Sequence, residues 1–97
     1  MKEKYEVIIL PNVYDNIINI TKFISNISLT ASKRFVSDLE ETIDRININP
    51  YMFQKDFSYE NTDYRRALLS KWYKIVFEVD EKNKCVYIDA IVDIRMQ

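Results

Sequence analysis

From Tyr5 to Leu10 the chain reads Tyr-Glu-Val-Ile-Ile-Leu, a β-branched run closed by Pro11-Asn12. The run predicts a first strand and then a break. Asn12 is placed to cap a helix, with Asp15 three residues on, where an acidic side chain suits the first turn. The period then changes, because Val13, Ile17, Ile20, Ile24 and Ile27 recur three or four apart, with Tyr14 and Ile18 beside them. The polar cluster Ser25-Asn26-Ile27-Ser28 interrupts this helix. In a second one, Ala31, Phe35, Leu39 and Ile43 recur every four residues and Ile46 continues the stripe. Its other face carries Lys33, Arg34, Asp38, Glu40, Glu41, Asp44 and Arg45. Asn49-Pro50 ends it, since the residue before a proline is pushed out of the α region.

Tyr51 to Asp63 shows no clear period, and its alternating Tyr51, Phe53, Phe57 and Tyr59 predict an ordered loop pinned by aromatic anchors. Beyond it the period becomes two. Strands are expected over Tyr64–Leu69, Trp72–Asp80 and Cys85–Arg95, joined by tight turns at Ser70-Lys71 and Glu81-Lys82-Asn83-Lys84. In the middle strand Tyr73, Ile75, Phe77 and Val79 share one face, and Trp72, Lys74, Val76 and Glu78 the other. In the last, Val86, Ile88, Ala90, Val92 and Ile94 are expected to oppose Tyr87, Asp89, Ile91, Asp93 and Arg95. The order β-α-α-β-β-β defines an α+β fold, an antiparallel sheet with a helical hairpin packed on its apolar face.

Composition narrows the chemistry. Ninety-seven residues make one domain, 1–97, and 47% hydrophobic with 30% charged residues is ordinary for a globular protein. No apolar run approaches the roughly 18 residues of a membrane span. The start, Met1-Lys2-Glu3-Lys4, lacks the apolar core of a signal peptide, and lone Cys85 forms no internal disulfide, so a cytoplasmic location is expected. Without histidine the usual neutral-pH base and the commonest metal ligand are missing, so neither a metal nor a cofactor is expected. Without glycine a Gly-rich phosphate loop is excluded, and positive-φ turns are expected to fall on Asn or Asp. The net charge of −1 argues against a uniformly basic coat but leaves room for a local patch.

Such a patch is visible between Tyr64 and Lys74, where Arg65, Arg66, Lys71 and Lys74 occur with no acid among them. Arg95 closes the last strand. If Arg65, Lys74 and Arg95 project from one face, with Trp72 and Tyr87 near them, they form a cationic cluster that binds phosphates and offers a ring for base stacking. The same cluster suits the acidic tail of a protein partner. Two plainer readings stay open beside these: cations on an exposed sheet face are ordinary, and they guard against edge-to-edge association. Tyr73 and Phe77 read as core. Asp89 and Asp93, on one strand face, read as a carboxylate pair, a metal site, or cross-strand partners of Lys74 or Arg65. Cys85 has no histidine to activate it as a nucleophile.

Taken together, the runs Tyr64-Arg65-Arg66-Ala67-Leu68, Trp72 to Val79 and Val86 to Arg95 resemble the C-terminal half of RelE/ParE toxins of bacterial type II toxin–antitoxin pairs. The N-terminal half agrees in its strand and Pro-Asn turn, a helix ending near Phe23-Ile24, Ala31 and Phe35 opening the next helix, and Pro50 after it. The resemblance covers nearly the whole chain and places the family's basic functional positions on Arg65, Lys74 and Arg95. It implies growth inhibition, of the kind that serves plasmid stabilization, and a cognate antitoxin whose C-terminal segment wraps the helical hairpin. Ile18, Phe23 and Val36 are candidate contacts for that segment, or additional core.

The resemblance divides into branches. RelE-like members are endoribonucleases that cleave mRNA on the ribosome, with lysines, arginines and a tyrosine serving proton transfer and phosphate charge; here that chemistry would fall on Arg65, Lys74 and Arg95. This chain departs from them: Ala67 stands where those nucleases carry a second lysine, and Lys74 replaces an arginine and its planar fork. The tyrosine beyond the final strand has no counterpart before Gln97, and Asp93 stands where a cation or histidine is common. The depleted pocket favours the ParE-like branch, whose members poison DNA gyrase by protein contact. Arg65, Arg66, Lys71, Trp72, Lys74 and Arg95 are then the expected target-binding surface. The third alternative is a degenerate, non-toxic interaction module of the same fold.

Overall fold

The computed structural model describes residues 4–59 and 62–96. Strand β1, Glu6–Ile9, runs directly into helix α1, Pro11–Ile27, with Leu10 as the N-terminal cap residue. Asn12 is therefore not the cap. Proline at the first helical position has the helical φ already fixed and no N–H to satisfy, so it opens the helix two residues earlier. Asp15 consequently lies beyond the first turn. Ser28 alone joins the helices: its N–H closes α1 on Ile24 O at 2.8 Å, and its Oγ accepts the Ala31 N–H at 3.1 Å to start α2, Leu29–Ile48. A single extended residue with a hydroxyl thus serves two helix ends.

Helix α2 buries Ser32, Phe35, Leu39, Thr42 and Ile46, a three-four-three-four stripe. The expected every-four stripe is corrected at its start, since Ala31 is exposed while Ser32 faces inward. The buried hydroxyls are satisfied locally, Ser32 Oγ donating to Leu29 O and Thr42 Oγ1 to Asp38 O, so they sit in the stripe without an orphan donor. Asn49 ends α2, as expected before Pro50, and a 3₁₀ turn follows over Pro50–Met52.

The sheet has the order β1-β4-β3-β2, with β2 at Arg65–Leu69, β3 at Tyr73–Asp80 and β4 at Cys85–Asp93. The three C-terminal strands form the expected antiparallel meander. Strand β1 adds to β4 in parallel, Val7 opposite Val86 and Ile9 opposite Ile88, so the complete sheet is mixed. Among the described residues the turns use neither Asn nor Asp for positive φ: Ser70 and Lys84 both stand at φ 54°. Holding a residue with a Cβ there costs about 1–2 kcal/mol, which the short connections impose.

On the helix side of the sheet lies one apolar core in which Val13, Phe35, Leu39 and Ile46 meet Ala67, Leu69, Tyr73, Ile75, Phe77, Val86, Ile88 and Ile91. Tyr73 packs edge-on to Phe35 with ring centres 5.5 Å apart, and Phe77 to Phe53 at 5.8 Å. Both are core residues, as the alternation indicated. The last strand differs from expectation. Val76 pairs with Ala90 but Phe77 with Ile88, so Asp89 is an extra residue and β4 changes phase at a β-bulge. Beyond it Ile91 takes the core side, while Ala90 and Val92 turn outward opposite Val76 and Lys74. The strand also stops at Asp93; Arg95 sits in a 3₁₀ turn, Ile94–Met96.

Candidate functional site

Strand register sorts the cations. Arg65 lies opposite Phe77 and so shares the helix side of the sheet, whereas Arg66, opposite Val76, shares the outer side with Lys74. Arg95 follows Asp93, which is opposite Tyr73 and again on the helix side. Arg65, Lys74 and Arg95 therefore do not share a face, and the expected single cluster does not form. The bulge at Asp89 is one physical reason, because it turns the end of β4 over; the place of Arg65 on the core-facing register is the other.

Each of the three has its own partner. Arg65 Nη1 donates to Phe53 O at 2.6 Å and its guanidinium lies 5.0 Å from the Tyr51 ring centre. Arg95 donates twice to Asp93, Nε to Oδ1 at 3.0 Å and Nη2 to Oδ2 at 2.7 Å, and stacks over Trp72 at 4.1 Å. Arg95 holds the Asp93 carboxyl below its ordinary range. Trp72 belongs to the turn before β3 and not to its outer face, and Lys71 lines a separate cleft with Arg34, Phe35 and Tyr73.

Lys74 is the unusual one. Its side chain is 4% exposed, and its Nζ lies 2.7 Å from Asp56 Oδ2, itself fully buried. Arg66 Nη1 stands 4.0 Å from Asp56 Oδ1, and the Tyr59 ring centre is 5.8 Å from Lys74 Nζ. Burial would push the Asp56 carboxyl up, but the ammonium of Lys74 and the Ser58 N–H outweigh it and hold the group below the ordinary range.

The 50s loop delivers this carboxylate. Gln54 to Asp56 pairs along the outer edge of the sheet, Arg66 N–H to Gln54 O at 3.0 Å and Asp56 N–H to Tyr64 O at 2.8 Å. Phe53 and Tyr59 are anchors, as expected, Tyr59 resting edge-on to Tyr64 at 5.3 Å. Phe57 is not; it is 85% exposed. Asp56 is the residue that sequence reasoning missed. It lies in a segment without a period, and its one signal is that an outward-facing Lys74 between apolar neighbours needs an anion if it is buried.

Asp89 and Asp93 part company at the bulge, and neither pairs with Lys74 or Arg65. Asp89 lies beside Glu78, and its Oδ2 is buried without a hydrogen-bond partner. Burial, then the neighbouring Glu78 carboxyl, push Asp89 up to about 7. Among the described residues no group of three or more His, Cys, Asp or Glu could hold a metal ion.

A second feature lies between α1 and the end of β4: a cleft of about 550 Å³ lined by Asn16, Asn19, Ile20, Phe23, Tyr73, Ile91, Asp93 and Arg95. Asn16 Nδ2 crosses it to Ile91 O at 2.8 Å. On α1, Ile18 is 49% and Phe23 52% exposed, and Tyr14 is exposed as well, while Val36 of α2 packs against the core. Among the described residues no helix is long and apolar enough to cross a membrane. No protein-family model matches the chain, and no curated protein matches it.

Proposed function

We propose that the chain is the toxin component of a type II toxin–antitoxin pair, of the ParE-like kind: it binds a cellular protein target such as DNA gyrase and is neutralised by a cognate antitoxin. The observation that carries this reading is the separate engagement of Arg65, Lys74 and Arg95 by Phe53 O, Asp56 and Asp93. A phosphoryl-transfer site needs cations converging on one phosphate and free to meet its developing charge. Here the charge of Lys74 is met by a buried carboxylate and Arg95 is held on both oxygens of Asp93. This supports contact as the mode of action. The exposed apolar residues of α1, Tyr14, Ile18 and Phe23, support a protein-binding surface for the antitoxin or the target.

The test is regulated expression of the intact chain in a bacterial host. Growth arrest with a DNA-damage response, and no new 5′ ends on translated messages by primer extension, is the expected result. Ribosome-dependent message cleavage would assign the chain to the endoribonucleases instead. Unchanged growth, with a neighbouring small protein still copurifying, would reduce it to an inert interaction module.

A further inference from the structure

The register slip at Asp89 has a chemical consequence on the outer face of the sheet. Tyr87 is opposite Glu78, and Ile88 is opposite Phe77 on the core side. Alternation carries Asp89 back to the outer face, where the bulge sets its carboxyl against Glu78. Asp89 Oδ2 is shut away from water with no donor. No ion pair to Glu78 or Asp89 occurs among the described residues. The cations of this face, Lys74 and Arg66, are directed to Asp56.

The other titratable groups facing the pair are phenols. Tyr64, leading into β2, is pushed up by the charges of Asp89 and Glu78. Tyr87 of β4 is pushed up by Cys85 and burial before Asp80, Glu78 and Glu6. Tyr59 reaches the pair only through its edge-on contact with Tyr64. The helices cover the opposite side of the sheet and present nothing here. Two adjacent carboxylates without a cation cannot both ionise cheaply, and a proton held between them satisfies the buried oxygen as well.

We propose that Glu78 and Asp89 share one proton across the β-bulge, and that its release loosens the bulge and the Tyr59–Tyr64 pair resting beside it: a proton switch built into the outer face of the sheet. With the proton in place, the bulge is closed by a carboxyl–carboxylate hydrogen bond. Without it, two like charges face each other, and Asp89 gains by turning toward water. That motion draws on the least regular part of the β3–β4 ladder, where one residue is already out of register. The outer face gains one full negative charge in the same step. The inference stands on the bulge alone and is independent of the toxin reading.

The experiment is a carboxyl-carbon NMR titration of the full chain, with amide hydrogen exchange at Asp89, Ala90, Ile91, Tyr59 and Tyr64 corrected for intrinsic base catalysis. One carboxyl of the pair should titrate near neutrality. Protection at the bulge and at Tyr59 and Tyr64 should fall about tenfold between about pH 6 and about pH 8. Glu78→Gln removes the neighbouring charge and should move the Asp89 transition down from neutrality, with burial still holding it above the ordinary carboxylate range, and the fall in protection should move to lower pH with it. Asp89→Asn should abolish the transition. Two carboxyls titrating below about pH 5 in the native chain would overturn the inference. So would exchange that ignores pH in the native chain, or an Asp89 transition that Glu78→Gln leaves unshifted.

Discussion

Val76 and Phe77 are neighbours on β3, yet their side chains enter opposite environments. Phe77 joins the apolar core between sheet and helices and packs edge-on to Phe53. Val76 faces outward beside Lys74, under a loop that brings in a buried aspartate. One sheet therefore has a dry face held by packing and a second face held by charge. Packing tolerates no cavity but asks for no particular partner; a buried charge asks for one partner and fails without it. The two faces should break in different ways.

The largest effects belong to the dry face. Phe77→Ala removes a fully buried ring that packs on Phe53, and should cost about 3–5 kcal/mol of unfolding free energy in a denaturant titration. Replacing it with Leu should recover most of this, because volume matters there more than shape. A loss below about 1 kcal/mol for Phe77→Ala would mean that this face is less closely packed than its burial indicates.

On the charged face the comparison is between single and double variants. Lys74→Met leaves Asp56 buried without its ammonium and should cost about 3–5 kcal/mol, and Asp56→Leu should do comparable damage by stranding Lys74. The double variant, with both charges gone, should be far less destabilised than the sum, and within about 2 kcal/mol of the native chain. Additive losses would show that the pair is not coupled. The pH dependence carries the same signature. Asp56 is held low, so its contribution is present above the ordinary carboxylate range near 4 and is lost as pH falls through its depressed value. Asp89 is held high, so its contribution is present below about 4 and is lost as pH rises through about 7. Stability of the native chain should fall on both sides of a mildly acidic optimum, and Asp89→Asn should flatten only the upper limb.

The dry face was legible in the sequence and the charged face was not. Helical spacing located Phe35, Leu39 and Ile46, and strict alternation located Tyr73, Ile75 and Phe77, because burial on one side leaves a period. Nothing periodic marks Asp56. Its carboxylate reaches Lys74 through a loop whose path depends on pairing Gln54 with Arg66, a tertiary event. The bulge left only a faint mark: Ala90-Ile91-Val92 interrupts the alternation of Tyr87 to Arg95, but one apolar residue on an outer face does not by itself show a slip, and one unpaired residue reverses the face of everything after it. That reversal takes Arg95 off the face of Lys74, and the core-side register of Arg65 opposite Phe77 takes Arg65 off it as well, so the expected cluster is three separate sites. The cap at Ser28 has a local signal in Ser28-Leu29-Thr30-Ala31, which the apolar stripe obscures because its spacing points to Ala31. Ser28→Ala should cost about 1 kcal/mol, since it removes one hydrogen bond at the start of α2 and leaves the packing of both faces intact.

The smallest effect on stability should come from a third surface, the exposed strip of α1. Ile18→Ser changes a side chain 49% exposed and outside the core, and should shift unfolding by no more than about 0.5 kcal/mol. Residues of the dry face cannot be changed so cheaply, and those of the charged face only in pairs. An apolar side chain that contributes almost nothing to the fold still carries the aggregation risk of exposure. Under the proposed function, a partner covers it. Ile18→Ser together with Phe23→Ser should therefore leave the denaturation curve nearly unchanged while weakening capture of the cognate antitoxin in a co-expression pull-down. A variant that unfolds more easily yet binds its partner as well as before would assign the strip to the core of the fold, and would leave the partner to be sought on the sheet.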